Sequence, residues 1–98
     1  MNLYVIARRN AWATADDLKQ AAERSAAEGD KDGSGVRWIR SYVISETSGE
    51  LGTVCIYEAD DPEALRKHAG AVPMPADEIM PVLDTVVVRP DPVAAAAS

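Results

Sequence analysis

His68 is the only histidine in the chain, and Glu58 lies one short segment before it. An imidazole can ligate a metal through one ring nitrogen, or move a proton near neutral pH. A carboxylate supplies a hard oxygen donor, or a base once burial raises its pKa. His68 follows Ala64 and Leu65 at helical spacing, so it belongs on an apolar helix stripe. Glu58 closes a run of strand-forming residues. Both side chains are costly to bury without a partner, which makes them the first metal-ligand candidates. One copy of each is too few for a transition-metal site. Two copies of His68 with carboxylates across a dimer axis could build a four-ligand centre.

The other reactive side chains read more simply. Cys55 sits between Val54 and Ile56 with no lysine or arginine beside it in sequence, so it reads as an inert buried thiol. Ser41 has no histidine or aspartate in its context that would suggest a triad. The pairs Asp16-Asp17 and Asp60-Asp61 mark helix starts. Gly33-Ser34-Gly35 follows a helix and precedes a strand, the reverse of a phosphate-cradling order. Tyr4, Trp38, Ser41, Tyr42 and Tyr57 form a candidate pocket, with Arg40 or Arg8 supplying charge and the tyrosines supplying hydroxyls. A substrate there would have His68 and Tyr42 as acid–base candidates and Arg40 as anion holder. That alternative is a cofactor-independent isomerase, cyclase or monooxygenase.

The elements that must position these groups are legible in outline. Residues 3–8 alternate as a strand, with Leu3, Val5 and Ala7 on one face and Tyr4, Ile6 and Arg8 on the other. Asn10–Ala13 reads as a loop carrying Trp12. Thr14 can cap a helix whose stripe is Leu18, Ala21, Ala22 and Ser25. Those small side chains predict close approach to whatever the helix packs on. Val36–Ser45 and Leu51–Ala59 form a hairpin around Ser48-Gly49-Glu50. Asp61-Pro62 starts the second helix and Gly70 can stop it. Pro75 could open a short helical turn, with Met74 and Met80 as gap fillers. Val82–Val88 reads as a last strand covered on both faces.

The order β-α-β-β-α-β, joined by right-handed crossovers, is an α+β ferredoxin-like fold. It predicts a four-stranded antiparallel sheet with two helices on one face. Residues 1–89 make the domain, and 90–98 a flexible tail. The strands offer two apolar faces. One assignment puts Leu3, Val5, Ile39, Val43, Val54 and Ile56 under the helices. Tyr4, Ile6, Trp38, Tyr42, Cys55 and Tyr57 then fill the open face. A slip of one residue exchanges the two sets. An open apolar face that wide predicts a homodimer, sheet on sheet, which could enclose a ligand.

Composition narrows the partners. Ten basic against sixteen acidic side chains leave a net charge of −6, which argues against nucleic acid as the partner. No window is apolar enough to span a membrane. The N-terminal run lacks a basic leader, and one cysteine suits a reducing compartment, so a cytoplasmic protein is expected.

Four blocks then resemble a known family. They are Trp38-Ile39-Arg40-Ser41-Tyr42, Cys55-Ile56-Tyr57-Glu58-Ala59, Asp61 through Ala69, and Pro75-Ala76-Asp77-Glu78-Ile79. In order and spacing they resemble the bacterial DUF4242 family, which includes a nickel-binding protein of actinobacteria. The resemblance runs from about Leu3 to Val88. It implies a ferredoxin-like fold, a dimer, and nickel or another divalent transition metal as ligand. It also adds Ser41-Tyr42 to His68 and Glu58 as site candidates.

Overall fold

Both helices start where capping chemistry places them. The Thr14 hydroxyl accepts from the Asp17 N–H, and the Asp61 carboxylate accepts from the Ala64 N–H. Pro62 occupies the first helical turn, where its missing N–H leaves nothing unsatisfied. The computed structural model describes residues 1–31, 33–72 and 78–92. Its elements are β1 (Asn2–Trp12), α1 (Ala15–Gly29), β2 (Val36–Ser45), β3 (Leu51–Ala59), α2 (Pro62–Ala71) and β4 (Glu78–Pro81). The strands form one antiparallel sheet in the order β2-β3-β1-β4, the ferredoxin-like arrangement. The turn expected at Pro75 lies outside the described residues.

Two strands differ in extent from the expectation. β1 runs on to Trp12, which pairs with Leu51 after an irregularity between Arg8 and Trp12. Asn10 there takes a left-handed φ of 49°. Glu46 clamps the kink by accepting from the Asn10 N–H at 2.7 Å and from the Arg9 guanidinium at 2.9 Å. The last strand is Glu78–Pro81 rather than Val82–Val88. Its register pairs Pro81 with Tyr4, and Val82 donates to the Leu3 carbonyl, so β1 ends before Val88 could find a partner. Leu83, Val86, Val87 and Val88 are left exposed.

In β1, β3 and the start of β2 the faces of the sheet are also exchanged relative to the assignment above, whereas Tyr42 and Val43 keep theirs. Tyr4, Ile6, Trp38, Cys55 and Tyr57 lie under the helices, in a core with Val36, Ala59 and Leu65. Leu3, Val5, Val54 and Ile56 are half-buried on the open face. Volume explains the choice. The helices bring small groups such as Ala21, Ser25 and Ala69, so the sheet must supply the bulk, and its aromatics do so. Within β2 a bulge changes the phase. Trp38 pairs with Tyr57 but Arg40 with Ile56, so Ile39 is the extra residue. Past the bulge, Ser41 and Val43 turn toward the helices, and Arg40, Tyr42 and Ile44 toward the open face.

Candidate functional site

The alanines of α1 do not bring the helix down onto the sheet as their size suggests. Arg8, Trp38 and Tyr57 stand opposite them, and a cavity of about 370 Å³ remains. Its helical wall is Ala15, Leu18, Lys19, Ala21, Ala22 and Ser25. The sheet wall includes Arg8 and Trp12 from β1, Trp38 and Ser41 from β2, and Thr53, Cys55 and Tyr57 from β3. Exposed Lys19 and Val43 belong to the lining, so the cavity opens to solvent at that rim.

Tyr57 organises the inner end. Its ring stacks on Trp38, with centroids 6.2 Å apart and planes 10° apart. The Arg8 Cζ lies 6.0 Å from the same ring centroid, and the His68 ring tilts against it at 5.7 Å. The Tyr57 hydroxyl meets Ser25 Oγ at 2.9 Å, and Ser25 Oγ meets His68 Nε2 at 3.1 Å. Ser25 Oγ thus bridges the phenol and the imidazole, and the direction of both hydrogen bonds follows the tautomer of His68. Burial, seconded by the Arg8 charge, holds His68 below the ordinary histidine range, against an upward pull from Glu28. Burial also raises the Tyr57 phenol. Ser25 and His68 have the spacing of a nucleophile and base, but Ser25 is 3% exposed and its hydroxyl is held between two partners. The triad of contacts fixes Tyr57 in place.

Cys55 is not remote from a cation. Arg8, on the adjoining strand, donates from Nη1 to Cys55 Sγ at 3.1 Å, and the thiol reaches the Thr53 hydroxyl at 3.3 Å. This neighbour was invisible in sequence because it comes from β1. Arg8 itself is 1% exposed.

The expected site residues divide between the two faces. Trp38, Ser41 and Tyr57 line the cavity together, and Trp38 Nε1 donates to Ser41 Oγ at 2.8 Å. Tyr4 lies in the core and is not part of the lining. Tyr42 and Arg40 sit on the open face. There the Tyr42 hydroxyl donates to Asp91 at 2.7 Å, and Arg40 lies 3.5 Å from the same carboxylate. The Asp91 bond raises the Tyr42 phenol above its ordinary range. His68, Tyr42 and Arg40 are therefore not brought to one substrate position. Glu58 also points away from the cavity, into an ion pair with Arg37 at 2.9 Å, so the chain does not unite it with His68. Ser25, Thr53, Trp12 and Lys19 complete the lining, and none had been singled out for chemistry.

The model of the nickel-responsive protein SCO4226-like family matches residues 4–82, which span the sheet and both helices. The chain belongs to this family. The motif blocks that resemble DUF4242 are consistent with that membership. The fold is also similar to a crystal structure of SCO4226 from Streptomyces coelicolor A3(2). That likeness has a TM-score of 0.68 at 24% identity, covering 86% of this chain and 99% of the other. A search of curated proteins gives no match.

The family description raises nickel directly, so the donor set can be tested against it. Among the described residues, no three His, Cys, Asp or Glu side chains cluster as a metal would need. His68 Nε2 is bonded to Ser25, Glu58 to Arg37, and Cys55 to Arg8. Within one copy, the described residues do not fit a nickel centre. No helix among them is long and apolar enough to cross a membrane.

Proposed function

We propose that this member of the nickel-responsive family is a self-associating binding protein for a small ligand, with the cavity between α1 and the sheet as its binding chamber. The cavity carries the reading. Its 370 Å³ falls at the small end of the roughly 300–1,000 Å³ typical of ligand sites. Trp12, Leu18, Ala22 and Trp38 give it an apolar wall, and Arg8, Ser41, Thr53 and Tyr57 supply a few polar groups, the composition such sites require. A neutral environment-sensitive dye such as Prodan tests it. Saturable binding is expected, and Ala22→Trp, which fills the space from α1, abolishes it. Absence of saturable binding, or binding indifferent to Ala22→Trp in a folded variant, overturns the reading.

A second reading is direct binding of nickel or another divalent transition metal at a site shared between copies. The family description supports it, and so does the place of Glu58 on the open sheet face, where a two-fold axis could bring two carboxylates together. Calorimetric titration of tag-free protein with nickel and zinc, repeated with Glu58→Ala and His68→Ala, decides it. Metal uptake that neither substitution weakens would rule out both residues as ligands.

A further inference from the structure

Most polar groups around the chamber are already spent on one another. Ser25 Oγ is shared by Tyr57 and His68, and Arg8 and Thr53 are both engaged with the Cys55 thiol. All six are buried. A ligand therefore meets polar capacity to spare at Ser41, half-buried in the wall, and at Lys19, exposed on the rim. An indole N–H can only donate, so the 2.8 Å bond from Trp38 Nε1 makes Ser41 Oγ the acceptor. The Ser41 proton goes to no other group among the described residues. The Lys19 ammonium can only donate as well, and no aspartate or glutamate lines the cavity. We propose that the chamber takes a small neutral aromatic ketone, whose carbonyl oxygen accepts from the Ser41 hydroxyl. This deepens the chamber reading given above and rests on it.

The fold places this donor deliberately. In an unbroken strand Trp38 and Ser41 would face opposite sides of the sheet. The extra residue Ile39 puts both under α1, three positions apart, where the indole can reach the hydroxyl. A hydroxyl that accepts one hydrogen bond is polarised toward donating another. The ligand's ring would lie against Trp12, Leu18, Ala22 and Trp38, which form the apolar wall. A carboxylate is disfavoured there, because the buried donors beneath it are occupied and an unpaired charge is costly to bury.

Acetophenone and α-methylstyrene share a shape and differ by an oxygen against a methylene. Titrations followed by NMR on the intact chain compare them. Ser41→Ala should weaken acetophenone relative to α-methylstyrene by about three- to tenfold, the worth of one neutral hydrogen bond. Loss of the Trp38 partner in that variant touches both ligands alike, so the comparison isolates the oxygen. The carbonyl stretch of bound acetophenone, read by isotope-edited infrared difference, should lie below its value in alkane solvent and return toward it in Ser41→Ala. Equal effects of Ser41→Ala on the two ligands overturn the proposal. A carbonyl stretch at the alkane value in the unaltered chain also overturns it, even if Ser41→Ala does not fold. If Prodan and acetophenone bind and either of those results is found, the donor assignment alone falls. If none of the three compounds binds, or binding survives Ala22→Trp, the chamber reading falls with it.

Discussion

His68 is the residue whose titration the fold opposes. Its folded pKa lies below the unfolded value, so protonation is taken up more readily by the unfolded chain. The native state therefore keeps its full stability above about pH 6.5 and loses part of it as pH falls below that value. Urea midpoints measured across pH 5–8 should show this decline, and His68→Gln should flatten it. Glu46 acts in a separate, more acidic window. Its hydrogen bonds from Arg9 and Asn10 lower its pKa, so its contribution is present above about pH 4.5 and disappears as pH falls further. Ser25 carries a different load. Ser25→Ala leaves the Tyr57 hydroxyl and His68 Nε2 without their shared partner, at an expected cost of about 1–3 kcal/mol. A denaturation midpoint unchanged in that variant would show that water replaces the serine. In sequence Ser25 looked like one small residue on a helix stripe, and its bonds reach partners on β3 and α2 that no local pattern reveals.

At the scale of elements, the tightest constraint is at Gly52. A Cβ there would stand 2.7 Å from the Arg8 carbonyl oxygen and 2.9 Å from a Glu46 carboxylate oxygen. The backbone atom cannot move aside cheaply, so Gly52→Ala should destabilise by about 1–3 kcal/mol, read from chemical denaturation. A neutral result would mean that β1 and β3 can separate locally without loss. The element order itself was legible, because Thr14, Asp61-Pro62 and Ser48-Gly49 mark boundaries by local chemistry. The facing of the sheet was not. Both sides of β1 and β3 are apolar, so period alone could not choose, and the deciding quantity was the small volume of the helix residues opposite. The Ile39 bulge was equally hidden, since nothing in Trp38-Ile39-Arg40 differs from an ordinary strand. Of the expected pocket residues, Trp38, Ser41 and Tyr57 line the cavity under α1 together with Arg8, whereas Tyr4 lies in the core and Tyr42 and Arg40 stand on the open face.

Among the described residues, the open side of the sheet is crossed only by the chain after β4. Tyr42, Ile44 and Met80 are 41%, 37% and 40% exposed on the open face, and Val86, Val87 and Val88 are 85%, 71% and 78% exposed. The chain after β4 starts beside Leu3 and reaches Tyr42 and Arg40 through Asp91, so it crosses this side of the sheet with its valines unseated. Apolar surface of that extent fits a second copy of the chain as its cover. Sedimentation equilibrium should find a dimer. Ile44→Glu with Met80→Glu, both at exposed positions, should shift it to monomer while keeping the fold. A monomer in the unaltered chain would instead leave the open face solvated.

The alanine wall of α1 has a consequence for how such a chamber can change over time. Ala15 and Ala22 contribute space rather than contacts, so the core does not depend on what stands there. A larger side chain at either position would redraw the chamber while Tyr57, Ser25 and His68 kept the scaffold closed behind it. Under the proposed binding role, the residues that would shape the chamber and those that hold the fold are separate positions of the same helix. Descendants of this chain could acquire new specificities by single substitutions along one helical face, without renegotiating the sheet.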